Sequence, residues 1–78
     1  MKKNNIPEDT QQILDTISIF LKGYRWQCGY TQQHLGEMSG IHYNTISKIE
    51  SGHSYNIASL IEICLALDLP LRELFWEL

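Results

Sequence analysis

The chain is expected to fold as a small all-α bundle of five helices. Three observations lead there. Seventy-eight residues leave room for one domain, and 44% of them are hydrophobic, too many for a disordered chain. Apolar residues recur at three- and four-residue steps, with no useful stretch of β alternation. Glycine, proline and capping residues cut the chain into short pieces. A nucleotide-binding α/β enzyme built from several βαβ units needs more chain than this.

Residues 1–9 are polar and contain Pro7, and read as a flexible arm ahead of a domain spanning 10–78. Between residues 10 and 26, Ile13, Ile17, Phe20, Leu21 and Tyr24 form the stripe of an amphipathic helix. Gly29 closes it. Thr31 is placed to cap a short helix over 32–39, with Gly40 supplying a left-handed stop. After a turn at Ile41, residues 42–51 form another short helix ended by Gly52. Asn56 caps a fourth helix over 57–67, with Ile57, Leu60, Ile61, Cys64 and Leu67 expected inward and Asp68 as its stop. Pro70 suits the first turn of a last helix bearing Leu71, Leu74 and Phe75.

Six basic against nine acidic side chains give a net charge of −3, which argues against unspecific attraction to nucleic acid. The excess is unevenly spread: +1 over residues 1–29, −1 over 30–56 and −3 over 57–78. No apolar run approaches the ~20 residues of a membrane span, and no apolar stretch follows Lys2 and Lys3 as in a secretory signal. A cytoplasmic protein without membrane contact is expected. Cys28 and Cys64 form no C-x-x-C pair and read as reduced, mostly buried thiols. His34, His42, His53 and Cys28 lack zinc-like spacing, so neither a metal nor another cofactor is expected. Nor does a cysteine and a histidine in so small a bundle promise a catalytic pair, so an enzyme is not expected.

Two short helices joined by a glycine-containing turn make a helix-turn-helix. On a helical wheel, Ile46, Ile49 and Glu50 share one side of the second of them, while Asn44, Ser47, Lys48 and Ser51 share the other. Leu35 and Ile41 join the two isoleucines in pinning the pair together. The outer face is small, polar and free of acid. Such a face suits the floor of a DNA major groove.

The chain resembles the Cro- and phage-repressor-like helix-turn-helix regulators of the xenobiotic-response-element type. The resemblance rests on Thr31-Gln32-x-x-Leu35-Gly36, on Gly40-Ile41, and on Thr45-Ile46-Ser47-Lys48-Ile49-Glu50-Ser51-Gly52. The run from Leu65 through Asp68-Leu69-Pro70 to Phe75 completes it, so that it covers roughly residues 13–76. It implies a five-helix, lambda-repressor-like bundle, double-stranded DNA as ligand, and a symmetric dimer on a palindromic operator. By position it implies base contacts from Tyr43, Asn44, Ser47 and Lys48. Contacts to the DNA backbone fall to Gln32, Gln33, Thr45, Ser51 and His53, with Gln32 also bracing the recognition helix. Arg25 and Glu50 match a largely buried ion pair.

Four positions depart from the family pattern. Gly36 replaces a usual alanine, at a cost of roughly 1 kcal/mol in helix propensity. His42 stands where Ser or Thr normally caps the recognition helix, so a weak or missing cap is expected there. Tyr43 replaces a polar reader; it either touches a thymine methyl or packs on a neighbouring helix. Asp68 replaces a glycine in a left-handed turn, which Asp tolerates.

The apolar end of the chain needs a partner. Leu65, Leu69, Phe75, Trp76 and Leu78 are too many for a bundle of this size to bury, and they read as the interface of a homodimer. The function expected is a sequence-specific transcriptional regulator, a small repressor or controller protein. The rival is an antitoxin-like interaction module whose helix-turn-helix mainly grips a protein partner.

Overall fold

The computed structural model describes residues 6–76 and 78. Its five helices are α1 (Glu8–Cys28), α2 (Gln32–Ser39), α3 (Tyr43–Glu50), α4 (Ile57–Ala66) and α5 (Leu71–Trp76), with no strand among the described residues. The all-α, five-helix expectation holds. α1 starts at Glu8, so the arm expected over 1–9 gives up its last two residues to the helix, and residues 1–5 lie outside the described residues.

The capping chemistry explains the short helices. Thr31 Oγ1 accepts the His34 N–H at 3.0 Å, and Asn56 Oδ1 accepts the Ala58 N–H at 2.8 Å. At the other ends, a left-handed residue after α1, α3 and α4 is flanked by the same pair of backbone bonds. After α1 the Gly29 N–H reaches Trp26 O and the Tyr30 N–H reaches Arg25 O. After α3 the Gly52 and His53 N–H groups reach Ile49 O and Lys48 O. After α4 Asp68, the one described non-glycine residue with positive φ, donates to Leu65 O while Leu69 donates to Cys64 O. Each pattern folds the chain back sharply and pairs two of the carbonyls at the helix end.

α1 packs on α3 and α5, while α2 packs on α3 and α4. Between them lie Ile17, Leu21, Leu35, Ile46, Ile49, Leu60, Ile63, Cys64, Leu67, Leu69 and Leu74, all buried. Burying a side chain of this size contributes about 1.5–3 kcal/mol, so Ile46 and Ile49 hold α3 in a single orientation. Phe20, Tyr24, Ile41, Tyr55 and Leu71 pack around the rim of this core.

Several inward expectations are corrected. Ile13, Ile57 and Ile61 are exposed, and Ile63 takes the core place expected of Ile57 and Ile61. α4 is apolar on two sides, and contact with α2 decides which side is buried. On α5, Leu74 is the buried anchor, while Phe75, read as an interface residue, is exposed. Cys28 lies on the surface, against the expectation of two mostly buried thiols, while Cys64 is buried. Burial pushes the Cys64 thiol up to about 11. Gly36 is more than a tolerated substitution: a Cβ there would lie 2.8 Å from the Ile41 carbonyl oxygen and 3.4 Å from the Tyr43 nitrogen. The close approach of the α2–α3 turn uses the missing methyl.

Candidate nucleic-acid interface

α3 has a hydrophobic back and a polar front. With Ile46 and Ile49 buried, the 3.6-residue period turns Asn44, Lys48 and Ser51 fully outward, with Ser47 and Thr45 half-exposed beside them. No carboxylate interrupts this front, because the one acid on α3 points the other way.

Glu50 ends α3 and faces α1. Its Oε2 accepts from Arg25 Nε at 2.7 Å, and its Oε1 accepts from Arg25 Nη2 at 2.9 Å and from Gln32 Nε2 at 3.0 Å. Arg25 Nη1 donates to the Tyr30 carbonyl at 2.7 Å. Both charged side chains are nearly sealed from solvent, at 8% and 4% exposure. Two parallel bonds between planar groups fix geometry as well as charge. The cluster thus ties the last turn of α1, the first turn of α2 and the last turn of α3 together at one point. It also removes Glu50 from the surface that carries Asn44 and Lys48. Gln32 thereby links the start of α2 to the end of α3.

The start of α3 departs from expectation. His42 caps the helix after all: its Nδ1 accepts the Asn44 N–H at 3.1 Å. The acceptor is a ring nitrogen in place of the family's hydroxyl, which sequence pattern alone does not flag. Its ring also lies against Tyr43, with centroids 4.6 Å apart and planes 26° apart. Tyr43 is 47% exposed and does not pack into the core. At α2, the Gln32 and Gln33 N–H groups belong to the first turn, where helix geometry supplies no acceptor.

The remaining backbone-contact candidates differ among themselves. The Ser51 hydroxyl donates to the Ser47 carbonyl at 2.8 Å, so its proton is already engaged. His53 is half-buried beyond the end of α3, with its N–H held by Lys48 O and a buried Nδ1.

Toward the end of the chain, Leu65 is 69% exposed and Trp76 87%, with Phe75 and Leu78 also exposed. Leu69 is not among them; at 4% exposure it belongs to the core, where it closes the α4 turn against Cys64. Two residues missed at the sequence level take its place. Ile57 and Ile61 precede Leu65 at four-residue steps, giving α4 an exposed apolar stripe. The signal was present as a second i, i+4, i+8 row beside the one that fills the core. Among the described residues no group of three or more His, Cys, Asp or Glu side chains could hold a metal ion. No helix among them is long and apolar enough to cross a membrane.

Comparison with known proteins agrees with this architecture. A family model described as helix-turn-helix matches residues 21–74. The chain is also 32% identical over 57 residues to an uncharacterized HTH-type transcriptional regulator, YgzD, of Bacillus subtilis (strain 168). That match covers 72% of this chain and 86% of the relative. The family model's match spans the α2–α3 pair, the Arg25–Glu50 cluster and the α4–α5 turn, and the chain belongs to the Cro- and phage-repressor-like helix-turn-helix regulator family.

Proposed function

We propose that this chain is a sequence-specific transcriptional regulator that binds double-stranded DNA as a homodimer, with α3 in the major groove of each half of a palindromic operator. The carrying observation is the acid-free front of α3, held outward by buried Ile46 and Ile49 and by the inward turn of Glu50. Asn44 is suited to the paired donor and acceptor of an adenine edge, and the Lys48 ammonium to the acceptors of guanine. Ser47 adds a hydroxyl, and Tyr43 an apolar edge for a thymine methyl. Gln32 keeps a second amide N–H beyond the one given to Glu50, and with the first-turn N–H groups of α2 it serves a phosphate. Gln33, Thr45, Ser51 and His53 complete the contacts to the DNA backbone; Ser51 gives up its internal bond to donate.

The dimer uses the α4–α5 side. Leu65, Phe75, Trp76 and Leu78, extended by Ile57 and Ile61, form an apolar area that a second copy covers through a two-fold axis. Such pairing sets two recognition helices about 34–36 Å apart, one turn of duplex. Regulation then follows from protein concentration and dimerisation, in the cytoplasm, with no cofactor and no catalysed reaction. The same exposed Trp76 favours a second reading, in which the apolar area holds a different protein and the chain acts as an antitoxin-like interaction module.

Alanine at Asn44 or Lys48 tests the first reading. Each variant is expected to bind the wild type's preferred duplex about tenfold or more weakly, the size of one lost base contact. Thermal stability should stay close to that of the wild type, since both side chains are exposed. Unchanged affinity in both variants refutes the reading. A 1:1 complex with a different chain that needs Trp76, without duplex binding, selects the second.

A further inference from the structure

We propose that His42, outside the set of base-reading side chains, is a positioning residue that presets Tyr43 for reading DNA. The inference rests on the proposed role of Tyr43 at a base edge. Two contacts from one imidazole carry it. Nδ1 accepts the Asn44 N–H at 3.1 Å, which fixes the ring against the first turn of α3 and assigns the proton to Nε2. The face of the same ring meets the Tyr43 ring at 4.6 Å and 26°.

An exposed tyrosine at the start of a helix otherwise populates more than one rotamer and must give up that freedom on docking. Here the capping bond orients the imidazole, and the imidazole orients the phenol. The backbone beneath is also constrained, because the turn at Ile41–Tyr43 lies so close to Gly36 that a methyl group does not fit without movement. A serine or threonine at position 42 would supply the capping acceptor and no stacking surface. The histidine therefore does what a hydroxyl cap cannot, and its effect is expected in base discrimination beyond any effect on folding.

The test compares His42→Ser, His42→Phe and Tyr43→Ala in the full chain. Readouts are thermal stability, the Tyr43 ring resonances, and affinity for the wild type's preferred duplex against single base-pair changes in it. His42→Ser keeps a cap, so its melting temperature should stay near the wild type's. Its Tyr43 resonances should lose the ring-current shift from the imidazole. Its discrimination should fall roughly three- to tenfold at the base pairs where Tyr43→Ala also relaxes preference. His42→Phe, with a ring and no acceptor, should be less stable but discriminate better at those pairs than His42→Ser. If His42→Ser matches the wild type in resonances and discrimination, His42 is a cap alone and the proposal fails while Tyr43 remains a reader. If Tyr43→Ala itself leaves every base preference unchanged, the reading beneath fails and takes the proposal with it.

Discussion

A single methyl group tests how α2 meets α3. Alanine is the better helix former by roughly 1 kcal/mol, so on propensity alone Gly36→Ala should stabilise α2. The Cβ would sit 2.8 Å from the Ile41 carbonyl oxygen, a backbone atom that cannot swing aside as a side chain can. The variant is expected to melt below the wild type; a higher melting temperature would mean that the turn yields freely. Cys64 allows a second test at the same scale. Its thiol is raised from the ordinary 9.0 to about 11 by burial, so the folded chain holds a proton that the unfolded chain releases earlier. This contribution is complete below pH 9 and is lost as pH climbs toward 11. Tyr55 beside it is also raised, by burial first and then by Cys64. Denaturant unfolding across that range should therefore show a shallower pH slope in Cys64→Ala than in the wild type. Equal slopes would remove the thiol as the cause.

At the scale of elements, the ion pair between α1 and α3 decides how α3 is held. Glu50→Gln replaces an accepting oxygen with a donor facing Arg25 and leaves a buried guanidinium without its counter-charge. A loss of about 3 kcal/mol in urea unfolding is expected, with most of it recovered when Arg25→Met and Glu50→Leu are combined. A loss below ~1 kcal/mol would show that α3 is positioned by Ile46 and Ile49 alone. The helices themselves were legible in the sequence wherever punctuation was chemical. Thr31, Gly40, Asn56 and Asp68 do in the structure what their side chains or lack of one suggested. Arg25 and Glu50 pair in the structure, and Gln32 joins them, a third member that the sequence pattern did not specify. What remained illegible was the choice between equivalent faces. α4 carries apolar residues on both the Leu60–Ile63–Cys64 side and the Ile57–Ile61–Leu65 side, and only packing against α2 picks between them. Leu69 was hidden for a related reason. Three residues beyond the end of α4, it is outside the helical period, and the left-handed turn at Asp68 carries it back into the core.

The whole molecule separates its surfaces. Most of the acidic excess lies in residues 57–78, and the α3 front carries Lys48 and no carboxylate. With few cations to meet phosphates, the proposed duplex binding is expected to depend on hydrogen bonds, helix N-termini and two half-sites, and to show a shallow salt dependence, with a slope of about −0.9 for each phosphate neutralised. The proposed pairing would use the apolar stripe on α4 and the exposed Trp76. The most direct test is selection of bound duplexes from a random pool by the full-length wild-type chain, at stated salt. One inverted repeat should be enriched, with half-site centres about 10–10.5 base pairs apart. Recovery of a pool indistinguishable from the input, from a folded protein, would contradict that expectation.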